Sequence, residues 1–286
     1  MDKIESPAAM YNQVMSWKQQ GQKVALVPTM GCLHEGHLSL MRIASQNADK
    51  VVVSIFVNPM QFGPNEDFGA YPRQLQADCV LAAKEGVDVV FCPEAKDVYL
   101  EGFQTTVSVL NLAKGMCGAD RPGHFDGVAT VVSKLFHMTA PDIAVFGEKD
   151  FQQLAIIRQM VRDLNFPVKI IGGPIVREPD GLALSSRNKY LQGEMRGQAL
   201  CLSKSIKMAQ QLVAQSPQPI AADTLVEATV KLVAEAGGKL EYAVVINDHT
   251  LQPEAVVGRS SVLAIAVKIG GKVRLIDNAR LYPGKE

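Results

Sequence analysis

Two short apolar runs, Val24–Val27 and Val51–Val57, bracket a stretch with the period of a helix, and this arrangement constrains the chain more than any other feature. Val51–Val57 is rich in β-branched residues and almost continuously apolar, as suits a strand buried on both faces of a parallel sheet. Between the runs, His37, Met41, Ala44 and Ala48 share one helical face. Parallel neighbours need a crossover, and the unit has the usual βαβ size of roughly 30 residues. The alternation continues with a helix at about Leu75–Glu85 stopped by Gly86, a strand Val87–Cys92, and a helix Val128–His137. A strand Ile143–Phe146, a helix Phe151–Leu164 and a strand Val168–Ile171 follow. The expected fold is α/β, a doubly wound, Rossmann-like parallel sheet with helices on both faces.

The pattern changes after Pro174. Glu178-Pro179-Asp180-Gly181 signals a turn, and helices are expected near Gly193–Gln215 and Ala221–Ala236 with Ser216–Pro219 between them. Strands Tyr242–Ile246, Val262–Val267 and Val273–Ile276 come next, the last two flanking the hairpin signal Gly270-Gly271. The expected organisation is therefore a larger domain over 1–175 and a smaller α+β domain over 176–286. With 286 residues, 47% of them apolar, both domains can hold a core. Lys+Arg and Asp+Glu are equal at 29 each, which counts against coating nucleic acid or anionic lipid. The apolar runs are too short to span a bilayer, and Met1–Met10 has no apolar signal-peptide core. Five cysteines without a CxxC pair fit a reducing, cytoplasmic setting.

The chemistry concentrates in Pro28-Thr29-Met30-Gly31-Cys32-Leu33-His34-Glu35-Gly36-His37. This segment joins the C-terminal end of the first strand to a helix start, where an open α/β sheet binds ligands. Gly31 and Gly36 allow close backbone approach, and the helix start offers N–H groups to a phosphate. Two imidazoles three residues apart can donate to phosphate oxygens. Two other readings stand beside this one. His34 and His37 can be ordinary polar residues at a helix start, or Cys32-x-His34-x-x-His37 can be three ligands of a zinc ion with no obvious fourth nearby. The glycine-rich strand-to-helix context suits phosphate better.

His34-x-Gly36-His37 after a first strand resembles the HxGH signature of the nucleotidylyltransferase superfamily. With its flanks the match narrows. Pro28–His37, Phe56–Phe62, Tyr71-Pro72-Arg73, Arg121–Phe125, Phe146–Gln153, Asp180–Asn188 and Arg274–Asn278 together resemble the pantothenate synthetase (pantoate–β-alanine ligase) family, in order and over nearly the whole chain. The resemblance implies adenylation of pantoate by ATP, then attack by the amine of β-alanine, with AMP and pyrophosphate released. It implies catalytic roles for His37, His34, Lys149 and Arg187. It places ATP along Met30, Gly31, Cys32, Leu33, His34, Glu35, Gly36 and His37, at Gly147, Glu148, Lys149 and Asp150, near Val176, and on Leu184, Ser185, Ser186 and Arg187. The smaller domain would be a lid carrying that Ser-Ser-Arg loop. Gln61 and Gln153 are the residues implied for pantoate, with Gln61 shared by β-alanine, and Asn58, Tyr71 and Arg121 are further pocket candidates.

Magnesium is implied by ATP, but the sequence offers no dedicated carboxylate cage; Asp78 and Asp150 are the acidic candidates. A homodimer is implied by the family, with no nucleic-acid or membrane partner. Cys117, His137 and Asn247 depart from the family's usual residues. The alternatives are another transferase of the HxGH superfamily, which has no reason to carry the Gln61 and Gln153 blocks, or a catalytically silent nucleotide-binding protein.

Overall fold

A computed structural model describes residues 1–64, 66 and 68–282. The chain forms two compact units, one comprising Met1–Glu148 with Gln152–Pro174, the other Lys149–Phe151 with the chain from Ile175 onward.

The first unit contains β1 (Asp2–Ile4), α1 (Pro7–Gln19), β2 (Val24–Thr29), α2 (Glu35–Asn47), β3 (Lys50–Ile55), α3 (Leu75–Lys84), β4 (Val89–Phe91), α4 (Ala95–Val98), α5 (Cys117–Asp120), α6 (His124–Thr139), β5 (Ile143–Gly147), α7 (Phe151–Asp163) and β6 (Lys169–Gly173), with the first residue of α7 belonging to the second unit. The six strands lie in the order β1-β4-β3-β2-β5-β6 and every pair is parallel. Continuous apolar runs are buried on both sides, as Val24–Val27, Val51–Val53 and Val89–Phe91 show. Leu40, Met41 and Ala44 make the buried stripe by which α2 covers the sheet.

Three carboxylates tie down the starts of two strands, β2 and β3. Asp49 accepts from Lys23 N–H at 2.8 Å, Asp142 from Val24 N–H at 2.8 Å and Lys18 Nζ at 2.9 Å, and Asp88 from Val51 N–H at 2.9 Å and Lys50 Nζ at 2.8 Å. These contacts satisfy backbone donors that the ladder leaves over, and they leave the opposite, C-terminal edge for other work.

Several elements differ from the expectation. β1 and α1 lie outside the expected elements; the three residues of β1 have mixed polarity and no period, and the strand exists through pairing with β4, Asp2 opposite Val89. Ser6 caps α1, accepting from Ala9 N–H at 3.4 Å, and Pro7 occupies the first turn. α6 starts at His124 rather than Val128, since Gly123 takes a left-handed φ of 80° and lets the Arg-Pro-Gly turn run straight into the helix.

The second unit holds α8 (Glu194–Ala199), α9 (Cys201–Gln215), α10 (Ala222–Glu235), and the antiparallel strands β7 (Lys239–Asn247), β8 (Ser261–Ile269) and β9 (Val273–Arg280) in the order β7-β8-β9. Leu263, Ile265, Val267 and Ile269 of β8 share one core with Leu202, Ile206, Leu225 and Val233 of the helices. Gly270 and Gly271 both have positive φ, 55° and 69°, as a two-residue hairpin requires. The single helix expected over 193–215 is broken at Leu200, whose N–H turns back to Gly197 O at 3.3 Å and closes a tight last turn on α8.

Gly127 and Gly197 should respond oppositely to alanine. A Cβ on Gly127 would stand 2.3 Å from Met60 O, so Gly127→Ala forces α6 away from Pro59–Gln61 and should lower stability by about 2 kcal/mol or more. Gly197 lies within α8 with nothing within 4 Å of its Cβ position, so Gly197→Ala should raise stability by about 0.5–1 kcal/mol. Urea unfolding midpoints of the two variants check both signs.

Candidate active site

The strand order reverses at β2, which has β3 on one side and β5 on the other. All three run the same way, so the segments that follow them leave from one edge of the sheet. Those segments are Met30–His37 after β2, Asn58–Gln61 after β3, and Glu148 after β5.

After β2 the backbone is held at every step. Thr29 Oγ1 donates to Ser54 O at 2.8 Å and accepts from Gly31 N–H at 3.1 Å. Gly31 and Cys32 are both left-handed, with φ of 82° and 53°. Asp78 of α3 accepts from Cys32 N–H and Leu33 N–H, each at 2.8 Å. His34 then caps α2 in an extended conformation, φ −144° and ψ 174°. Its N–H donates to His37 Nδ1 at 3.3 Å, and the two rings lie 4.1 Å apart. With Nδ1 accepting, the proton of a neutral His37 imidazole resides on Nε2.

The segment after β3 carries a second polar cluster. Asn58 is fully buried: its Nδ2 donates to Gln61 Oε1 at 3.1 Å and Gly127 O at 3.0 Å, while its Oδ1 accepts from Tyr99 O–H at 2.8 Å. Burial pushes the Tyr99 phenol well above its usual range, so it stays a neutral donor. Gln61 Oε1 is thereby engaged, and its Nε2 lies 2.9 Å from Met30 Sδ of the β2 segment. His124 Nδ1 lies 2.7 Å from Gln61 O, and its Nε2 lies 3.0 Å from an Arg121 NH group. A carbonyl can only accept and a guanidinium can only donate, so His124 is the neutral Nδ1–H tautomer. Arg121 also meets Glu66 in a fork, Nε to Oε1 at 2.6 Å and NH2 to Oε2 at 2.5 Å. Tyr71 is buried edge-on against Phe62 with ring centres 5.9 Å apart.

Gln153 is half-buried on α7, and its neighbour Gln152 is a clamp that the sequence did not single out. Gln152 Oε1 accepts from Cys117 N–H at 3.1 Å, and its Nε2 donates to Leu112 O at 2.9 Å and Gly115 O at 2.8 Å. Glu66, Tyr99, His124 and Gln152 were all missed as contributors. Only His124 and Gln152 lie in motif blocks, and nothing in their spacing reveals which backbone groups they hold. Cys117 is buried at the start of α5. His137 packs against Phe166 at 5.4 Å.

In the second unit, Arg177 forms a bidentate pair with buried Asp277 at 2.7 and 2.8 Å and donates to Gly181 O at 3.1 Å. Leu184 N–H donates to Val176 O at 2.9 Å, bringing those two expected residues together. Ser185 Oγ accepts from Arg187 N–H at 3.3 Å, and Asn188 Nδ2 reaches Glu178 at 2.8 Å and Ala183 O at 3.1 Å, so the Ser185–Arg187 turn is braced from both sides. Asn278 Nδ2 donates to Lys149 O at 2.9 Å. Asn247 donates to Glu254 at 3.0 Å and accepts from His249 and Thr250 N–H; an aspartate there would oppose the Glu254 carboxylate. The sequence-named ATP residues are thus divided: Met30–His37, Gly147 and Glu148 in the first unit, and Lys149, Asp150, Val176 and Leu184–Arg187 in the second.

A family model described as pantoate-beta-alanine ligase matches residues 2–280. The chain belongs to that family. It is therefore a ligase. Similar relatives include the pantothenate synthetases of Desulfotalea psychrophila, 51% identical over 98% of this chain and 99% of that protein, and Trichlorobacter lovleyi, 53% identical with the same coverages. Among solved structures, pantothenate synthetase from Thermus thermophilus has a TM-score of 0.93 at 40% identity, covering 99% of this chain and all of that one. Pantoate-beta-alanine ligase from Francisella tularensis, complexed with beta-gamma ATP and beta-alanine, has a TM-score of 0.81 at 38% identity and covers 99% of both chains. The expected α/β architecture with a smaller antiparallel C-terminal sheet is the architecture found.

The Arg121–Glu66 fork makes an acid-sensitivity prediction. Burial acts to raise the Glu66 pKa, but the hydrogen bonds and charge of Arg121 outweigh it and hold the carboxyl below 4.5. A lowered carboxylate adds stability above its unfolded value and loses it as pH falls through the folded value. Stability should therefore fall more steeply below about pH 4.5 in the wild type than in Glu66→Gln. Urea midpoints over that interval test this; equal slopes would mean that the fork adds no pH-dependent stability.

Proposed function

We propose that this ligase condenses pantoate with β-alanine in two steps, using ATP to make a pantoyl adenylate. In the first, a pantoate carboxylate oxygen attacks the α-phosphorus of ATP and pyrophosphate leaves. In the second, the β-alanine amine attacks the activated carbonyl, AMP leaves with the bonding electron pair, and the amine gives up its proton. Activation by adenylation removes the need for an enzyme nucleophile, so the buried cysteines have no chemical task.

The observation that carries this reading is the tautomer imposed on His37 at the start of α2. His34 N–H occupies Nδ1, so Nε2–H can meet a phosphate oxygen as charge develops there, without a change of protonation. His34 and the first-turn N–H groups of α2 add donors at the same place. Lys149 and Arg187 are assigned to the triphosphate, with Ser185 and Ser186 adding hydroxyl or backbone donors. Gly147, Glu148, Asp150, Val176 and Leu184 complete the proposed ATP contacts. Gln61 and Gln153 are assigned to pantoate, because neutral amides orient a hydroxyl and a carboxylate without sequestering the attacking oxygen. Asn58 engages Gln61 Oε1 while Gln61 Nε2 meets Met30 Sδ, so the amide is held in a fixed orientation, which supports that assignment. Tyr71 and Arg121 belong to the surrounding wall.

Magnesium accompanies ATP in this proposal. Among the described residues no group of three His, Cys, Asp or Glu side chains is arranged to hold a metal ion. Lys149 and Arg187 are the cations proposed for the phosphates, and no step is assigned to the ion. The homodimer and the lid role of the second unit rest on the family resemblance, and the cytoplasmic setting on the cysteine pattern; among the described residues no helix is long and apolar enough to cross a membrane.

With pantoate and Mg-ATP but no β-alanine, labelled pyrophosphate should exchange into ATP. Exchange should require pantoate, and adding β-alanine should yield AMP but no ADP. Pantoate-independent exchange, or ADP as product, would overturn the proposal. A silent nucleotide binder would show no exchange at all. His37→Ala should fold normally and lose about 10²–10³-fold in single-turnover adenylate formation, the typical loss for one preorganised donor.

A further inference from the structure

Asp78 is completely buried, and among the described residues its carboxylate meets only neutral donors. Oδ2 accepts from Cys32 N–H at 2.8 Å; Oδ1 accepts from Leu33 N–H at 2.8 Å and from Gln74 Nε2 at 3.2 Å. A buried charge is expensive unless dipoles absorb it, and here the dipoles belong to the turn that leads into His34. The fit is close: a Cβ on Gly31 would lie 2.9 Å from Oδ2 and 3.1 Å from Ile55 Cγ2. Gly31 also has a φ of 82°, which side-chain-bearing residues rarely adopt.

We propose that Asp78 is a positioning residue for adenylation: it locks the left-handed turn at Gly31–Leu33 so that His34 and His37 face the phosphates, and it is not a magnesium ligand. This rests on the phosphate reading of the His34–His37 segment. Three of the roughly four lone-pair positions of the carboxylate are taken by hydrogen bonds. Magnesium holds its oxygens at about 2.0–2.1 Å and keeps most of its waters, a shell for which the closed space between Asp78 and Gly31 has no room. The carboxylate also settles which N–H groups serve the substrate. Those of Cys32 and Leu33 point inward to Asp78, so the phosphates are left to the imidazoles and the first turn of α2.

Asp78→Asn keeps the shape of the side chain but sets an NH2 against a backbone N–H. Pantoate-dependent pyrophosphate exchange should fall by about 10²-fold, the usual scale for a misplaced reacting group. The magnesium concentration giving half-maximal exchange should not move. Conversion of supplied pantoyl adenylate and β-alanine to pantothenate should change far less than exchange does. Rescue by excess magnesium, a raised magnesium requirement, or equal loss in both half-reactions would overturn the proposal. The wild-type protein supplies a measurement that needs no variant. The Cys32 and Leu33 amides should exchange slowly with deuterium, with and without Mg-ATP, and Mn2+ added without nucleotide should leave their NMR signals unbroadened. Rapid exchange or broadening by Mn2+ would equally overturn it. These amide readouts stand apart from turnover: absence of exchange activity in the wild type would count against the two-step reaction while leaving the Asp78 contacts in place.

Discussion

The pairing of β2 with β3 on one side and β5 on the other is the constraint on which the candidate site depends. Parallel pairing sends the ends of neighbouring strands to the same edge, and reversal of strand order at β2 makes the loops diverge there. Side chains far apart in sequence are thereby made neighbours, as the contact between Gln61 and Met30 shows. Had β5 joined the sheet at its far edge instead, Gly147 and Met30 would lie several strands apart, at about 4.8 Å per strand.

The loops at that edge are not left to find their own shape. Asp78 holds the turn after β2, Asn58 holds Gln61, and Gln152 holds Leu112, Gly115 and Cys117 through their backbone groups. Each is a buried polar side chain whose hydrogen bonds to protein atoms fix the shape of the loop it holds. A site that stabilises developing charge benefits from this, because donors already in place need no reorganisation during the reaction. The same logic applies in the second unit, where Arg177 and Asp277 anchor the segment that leads to Ser185 and Arg187.

Much of the architecture was legible because burial on two faces leaves an unmistakable apolar run. Val51–Val53 lies at the centre of its strand, and Gly270-Gly271 marks the hairpin between β8 and β9. Among the elements that escaped notice, β1 owes its existence to a distant partner. β1 is three residues long and is a strand only because β4 lies beside it. The break at Leu200 depends on how one turn closes, which a continuous helical pattern does not reveal.

By itself the sequence determined the fold class, the motif-bearing segments and the family, because apolar periodicity, glycine positions and ordered motif blocks are local properties. Tertiary structure alone decided which nitrogen of His37 carries the proton, that Arg121 is forked onto Glu66, and that the Asp78 carboxylate faces backbone N–H groups. The physical reason is that hydrogen bonds are short and directional, on the order of 3 Å. Partners 45 or 46 residues apart, such as Leu33 or Cys32 with Asp78, meet only after the sheet has set the path of the chain.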